Sequence, residues 1–135
     1  MRRLTLPVAL VLAAAAIAVP SAWAGSPHFI DSAMTASTSG NTLTVNGKEA
    51  GLGDELQIHV VLSADALCIN GGGNHPKAVN KTSVTTAADV PVQNGKADYT
   101  LIGTATFQPA CSPPMTVQFQ NITVTDTTNN LVFRF

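Results

Sequence analysis

With 135 residues and only eight acidic and seven basic side chains, the chain has room for one domain with a modest core. Beyond residue 24, five basic residues (Lys48, Lys77, Lys81, Lys96 and Arg134) stand against eight acidic ones. A nucleic-acid or anionic-membrane surface needs clustered Lys and Arg, so so mild and sparse a charge excludes both.

The chain opens with Arg2 and Arg3, followed by an almost wholly apolar run from Leu4 to Val19. Pro20 ends that run, and Ala22-Trp23-Ala24 supplies the small-x-small pattern of a signal-peptidase site. Residues 1–24 therefore read as a secretory signal peptide, and residues 25–135 as a single domain. The apolar run falls short of the roughly 20 residues that span a bilayer, so no stable membrane anchor is expected. Leu4-Thr5-Leu6 and the strongly apolar core fit ordinary secretion better than twin-arginine export. Neither a sorting motif nor a lipobox is visible, and free diffusion outside the cell is the expectation.

Helical periodicity does not recur after the leader, whereas strand periodicity does. Residues 28–38 make a first strand, with Ile30, Ser32, Met34 and Ala36 on one side. Ser39-Gly40-Asn41 turns the chain into a second strand around Leu43 and Val45. Glu49 to Asp54 reads as a glycine-punctuated loop. Leu56, Ile58, Val60 and Leu62 then face one way, with Gln57, His59 and Ser63 opposite. Residues 65–80 form the longest irregular stretch. Lys81 to Val90 is a threonine-rich strand expected at an edge, since Thr suits a half-buried pleated surface. Pro91 and Asn94-Gly95 mark the next turn. Ala97, Tyr99, Leu101, Gly103, Ala105 and Phe107 alternate with polar partners. Pro109 to Pro114 is a loop. Met115, Val117 and Phe119 share one parity while Ile122 and Val124 take the other, which predicts a β-bulge near Gln120-Asn121. Asn129-Asn130 leads to a last strand with Leu131, Phe133 and Phe135 inward.

About seven short strands at this spacing predict an all-β protein: an antiparallel immunoglobulin-like β-sandwich with one disulfide. A small closed barrel is the alternative. Two cysteines, Cys68 and Cys111, allow a single intramolecular pairing in an oxidising compartment; two free thiols are the other possibility. Both cysteines are placed in loops, so a bridge ties the 65–80 loop to the 108–114 loop at one end of the sandwich.

The candidate binding loop is Asn70, Gly71, Gly72, Gly73, Asn74, His75 and Pro76, with Asn80 following. Three glycines allow close backbone approach to a ligand, but the Lys-Ser/Thr of a phosphate loop is missing. A loop merely pinned by Cys68, its Asn and Gly residues satisfying local turns, is the plainer reading. His28, His59 and His75 are scattered, and Pro27 removes an amide that an amino-terminal copper site would need. Zinc would require more Cys or His at ligand spacing. Glu49, Asp54 and Glu55 lack the alternating spacing of a calcium loop and read as solvated. As a glycosidase pair they have no aromatic platform. The nucleophile elbow Gly-x-Ser-x-Gly is absent. Asn80-Lys81-Thr82 and Asn121-Ile122-Thr123 are glycosylation sequons. No catalytic residue, metal or cofactor is therefore expected.

Several stretches carry a resemblance: Pro27-His28-Phe29, Lys48 to Gly53, Cys68 to Lys81, Asn121 to Thr127 and Phe133-Arg134-Phe135. Together they resemble uncharacterised small secreted proteins of actinobacteria, over most of the chain after the leader. The resemblance implies an exported Gram-positive protein with its two cysteines paired, and it implies no activity. The expected function is a secreted, non-enzymatic binding or surface-interaction module whose partner is an extracellular protein or a neutral polar surface. A self-associating structural surface protein is the alternative. A metal-binding or enzymatic domain would require distant strands to gather the right residues.

Overall fold

Alternation of apolar and polar residues builds two antiparallel sheets. In the computed structural model, residues 25–70 and 77–135 are described. Their strands are β1 His28–Phe29, β2 Thr35–Ser39, β3 Thr42–Ala50, β4 Gln57–Asn70, β5 Lys77–Pro91, β6 Ala97–Thr104, β7 Thr116–Asp126 and β8 Leu131–Arg134. In the first sheet, β3 carries β6 on one edge and, in succession along the other, β2 and β1. The second sheet has the order β5-β4-β7-β8. The result is an antiparallel β-sandwich rather than a closed barrel. Between the sheets, β5 approaches β6, where the Thr86 hydroxyl donates to the Ile102 carbonyl at 3.0 Å.

The core lies on the inner faces. β3 contributes Leu43 and Val45, and β4 contributes Ile58, Val60, Leu62, Ala64, Ala66 and Cys68 in unbroken alternation. Leu101 of β6 and Val124 of β7 close it. Two glycines make room for large neighbours. The Tyr99 ring lies across Gly47, and the Val84 side chain lies against Gly103; a Cβ at either position would overlap its neighbour.

The bulge occurs where the change of parity puts it. Ser63 pairs with Thr123 and Asp65 with Gln120, so Asn121 and Ile122 together oppose Ala64. Asn121 takes the left-handed conformation, φ 52°, which Asn tolerates better than most residues. Its Nδ2 donates to Asp65 Oδ2 at 2.9 Å. That hydrogen bond, with Lys81 adding to it, holds the Asp65 carboxyl below its usual range. Asn94 and Gly95 both have positive φ and form the tight turn, closed by the Gln93–Lys96 bridge.

Five expectations are corrected. The 28–38 segment is not one strand: a 3-10 turn at Asp31–Ala33 splits it into β1 and β2, giving eight strands. Of its four same-side residues only Met34 is buried. Leu56 lies before β4 and is 88% exposed rather than inward. Residues 65–80 are not one irregular stretch: β4 runs on to Asn70, and β5 pairs back from Lys77. Cys68 therefore sits on a central strand, and only Cys111 is in a loop. Phe135 is exposed rather than inward, although its ring packs edge-on to Phe133, which in turn meets Phe29.

Candidate functional site

One disulfide joins Cys68 of β4 to Cys111, with a sequence separation of 43. It fastens the segment between β6 and β7 to the second sheet. Local order in that segment begins with inner-face alternation, which continues past β6 and buries Ala105 and Phe107. The β2–β3 turn clamps it there: the Ala105 N–H donates to the Asn41 carbonyl at 2.8 Å. Asn41 Nδ2 donates back to the Ala105 carbonyl at 3.1 Å. Further along, the Met115 N–H closes a turn onto the Ser112 carbonyl.

Between the clamp and the bridge lies an open cleft of about 650 Å³. Ala105, Phe107, Pro113, Met115 and Val117 form its apolar wall, and Thr38, Asn41, Thr106 and Thr116 its polar rim. No lining residue carries a charge. A smaller hollow of about 210 Å³ lies beside it, bounded by Cys68, Asn80, Gln108 and Met115.

The candidate loop divides between places. Gly71, Gly72, Gly73, Asn74, His75 and Pro76 lie outside the described residues. Asn70 is exposed at the end of β4. Asn80 on β5 is half-buried and donates through Nδ2 to the Gln108 carbonyl at 3.1 Å, joining β5 to the bridged segment. Cys68, Cys111 and Asn80 are thus brought together, while the cleft itself is built from residues 105–117 and the β2–β3 turn. The loop read from sequence at Pro109 to Pro114 supplies Pro113, whereas Ala105, Phe107, Met115 and Val117 were not singled out as site residues; the signal available was the continued alternation through Phe107.

The histidines do not converge. His28 is at the edge of the first sheet, with Nδ1 2.7 Å from the Ser26 carbonyl. His59 is on the outer face of the second sheet, with Nδ1 2.7 Å from Asp89 Oδ1. Among the described residues, no group of three or more His, Cys, Asp or Glu side chains is placed to hold a metal ion.

At the other end lies a buried acidic cluster that sequence reasoning did not find. Glu49 was expected in a solvated loop with Asp54 and Glu55, but it is the last residue but one of β3, faces inward and is fully buried. Asp126, the last residue of β7, is also fully buried. Asp126 accepts from the N–H groups of Thr128 (2.8 Å) and Asn129 (3.2 Å) and from Asn129 Nδ2 (2.7 Å). The same Asn129 amide donates to Glu55 Oε2 at 3.1 Å. Tyr99 donates its hydroxyl to Glu49 Oε1 at 3.2 Å, whereas Glu49 Oε2 has no hydrogen-bonding partner. Burial pushes the Glu49 carboxyl up to about 8; the neighbouring Asp126 carboxyl adds to this, Tyr99 opposes it, and Glu55 adds a little. Burial also pushes the Tyr99 hydroxyl up, followed by the charge of Glu49, so Tyr99 stays a donor.

Fold and bridge together define a class, a two-sheet β-sandwich tied at one end by a disulfide. Among protein-family models, curated proteins and solved structures, no match to the chain is found. No helix among the described residues is long and apolar enough to cross a membrane.

Proposed function

We propose that this protein is a secreted, non-enzymatic binding module that receives an uncharged partner at its disulfide-tied end. The observation that carries the reading is the uncharged, apolar-walled cleft held open between the bridge and the Asn41 clamp. Clefts of a few hundred Å³ with apolar walls and a few polar groups suit small neutral ligands or the apolar side chains of a protein partner. We read the strand order, four strands (β1, β2, β3 and β6) against β5-β4-β7-β8, as an immunoglobulin-like Greek key, a frame in which loops at the sandwich ends commonly carry recognition. The leader at residues 1–24 and the bridge support export, and the resemblance to secreted actinobacterial proteins supports a Gram-positive source.

The test is capture of extracellular proteins and neutral glycans from culture supernatant on immobilised protein, comparing wild type with Thr106→Arg and Thr116→Arg. Both positions are exposed on the cleft rim, so neither change disturbs the core. Partners retained by wild type and lost by both variants support the reading; identical retention by all three refutes it.

A second reading, self-association, is favoured by β2. Its five residues, Thr35–Ser39, are all exposed, carry no charge and pair on one edge only, with β3. Such an edge lacks the Lys and Pro that discourage strand addition. Size-exclusion chromatography separates the readings: elution that shifts earlier with concentration supports assembly, and constant elution removes it.

A further inference from the structure

The strongest feature outside the cleft is the contact between two buried carboxyl groups from opposite sheets. Glu49 comes from β3 and Asp126 from β7, both fully buried and near enough that the Asp126 carboxyl acts directly on Glu49. Two carboxylates are both acceptors, and neither can satisfy the other without a proton. Glu49 Oε2 is buried and has no partner. Asp126, by contrast, faces three N–H donors, an arrangement suited to a carboxylate. A proton on Glu49 supplies the missing donor and leaves one negative charge for the pair, as in other carboxyl pairs too close to ionise together.

Among the described residues, neither carboxyl forms an ion pair with a basic side chain. From β6 comes the Tyr99 hydroxyl, from the β3–β4 connection Glu55, and from the β7–β8 turn the Asn129 amide. Lys48, next to Glu49 in sequence, points to the other face and pairs with Asp98 at 3.4 Å. On β1 His28 bonds the Ser26 carbonyl, and on β8 Arg134 alternates with the inward Phe133.

We propose that Glu49 and Asp126 form a proton-operated latch between the two sheets. One shared proton closes it. Loss of that proton sets two carboxylates against each other and loosens the end of the sandwich that holds the 126–131 turn.

The direction with pH follows from the raised Glu49 value. Folded Glu49 holds its proton to about 8, against 4.5 for an ordinary glutamate carboxyl. Between those limits the folded state binds more protons than the unfolded state, so stability falls as pH rises. In the folded protein the latch stays closed up to about 8, while the stability it contributes is full below the lower limit and lost as pH rises to the upper one.

The experiment is thermal unfolding of the wild-type domain and of Glu49→Gln from pH 5 to pH 9. Gln keeps the shape and supplies an N–H donor to Asp126 at every pH. The wild-type midpoint is expected to fall by about 10 °C more than that of Glu49→Gln across the range. Parallel curves overturn the proposal. If Glu49→Gln does not fold, infrared spectroscopy of wild type decides: a protonated-carboxyl stretching band at pH 7 that titrates near the upper limit supports the latch, and its absence overturns it. Added calcium chloride is the control. A wild-type midpoint at pH 8 raised by calcium would show that a cation, not a proton, joins the pair, and would also overturn the proposal.

Discussion

Opening the disulfide should destabilise the domain by about 4 kcal/mol. The bridge closes a loop with sequence separation 43. In the chain-entropy model a closure of that length removes roughly 13 cal/mol/K from the unfolded chain, or about 4 kcal/mol at 25 °C. Cys111→Ala is the appropriate variant, because Cys111 is only half-buried and its removal costs little packing, whereas Cys68 is buried in the core. Urea unfolding followed by circular dichroism measures the effect. With a slope of about 1.5 kcal/mol/M, the midpoint falls by about 2.5 M. The slope itself should rise, since the untethered unfolded chain exposes more surface. A loss below about 1 kcal/mol with an unchanged slope would refute the reasoning: the bridge would then not be what restricts the unfolded chain. Amide exchange adds a local readout. Protection at Met115, whose N–H bonds the Ser112 carbonyl, should drop before that of β4 and β7, because the bridge and the Asn80–Gln108 bond tie that segment to the second sheet.

Other changes test other parts of the packing. Gly47→Ala puts a methyl group into the Tyr99 ring; displacing the ring breaks its bond to Glu49, and chemical denaturation should show a loss of about 2–4 kcal/mol. Asn121→Val forces a β-branched residue into positive φ at the bulge and should cost about 1–3 kcal/mol in the same assay, with Asn121→Gly close to wild type. Leu62→Ala opens a cavity at the centre of β4 and should cost about 2–5 kcal/mol. Leu56→Ser, at a position 88% exposed, should stay within about 0.5 kcal/mol of wild type despite the lost hydrophobe.

Much of this fold is written in parity. The alternation of β6 starts at Ala97 and runs on past the strand to Phe107 without a break, and the bulge at Asn121 shows as a switch of parity between Phe119 and Ile122. The β4–β5 hairpin was harder to read. Its inner residues Ala64 and Ala66 are small, its outer residues include Leu67, and the glycine run after Asn70 pulls the eye toward a loop. Leu56 misled because it shares the parity of Ile58 yet precedes the strand. The break in residues 28–38 leaves no apolar trace, since the 3-10 turn is Asp31-Ser32-Ala33. The acidic cluster was legible in part. Glu49 has the parity of Leu43 and Val45, and Asp126 that of Ile122 and Val124, which places both carboxyls inside. What no strand pattern contains is that the two meet, because that depends on how one sheet lies over the other.

The two ends of the sandwich are fastened by different chemistry, and this bears on where a partner can sit. At the cleft end a covalent bridge and uncharged hydrogen bonds hold the walls, and none of these responds to pH. At the far end the fastening is a pair of acids whose attraction depends on one proton. β4 connects them, running from Gln57 beside the acidic end to Asn70 beyond the bridge, with its inner face filled at every alternate residue up to Cys68. A rigid central strand of this kind lets one end loosen while the other keeps its shape. Partner binding at the cleft should then be insensitive to pH over the range in which the latch opens. A partner whose affinity followed the Glu49 titration would instead have to touch the 126–131 turn, and the recognition surface would lie at the acidic end.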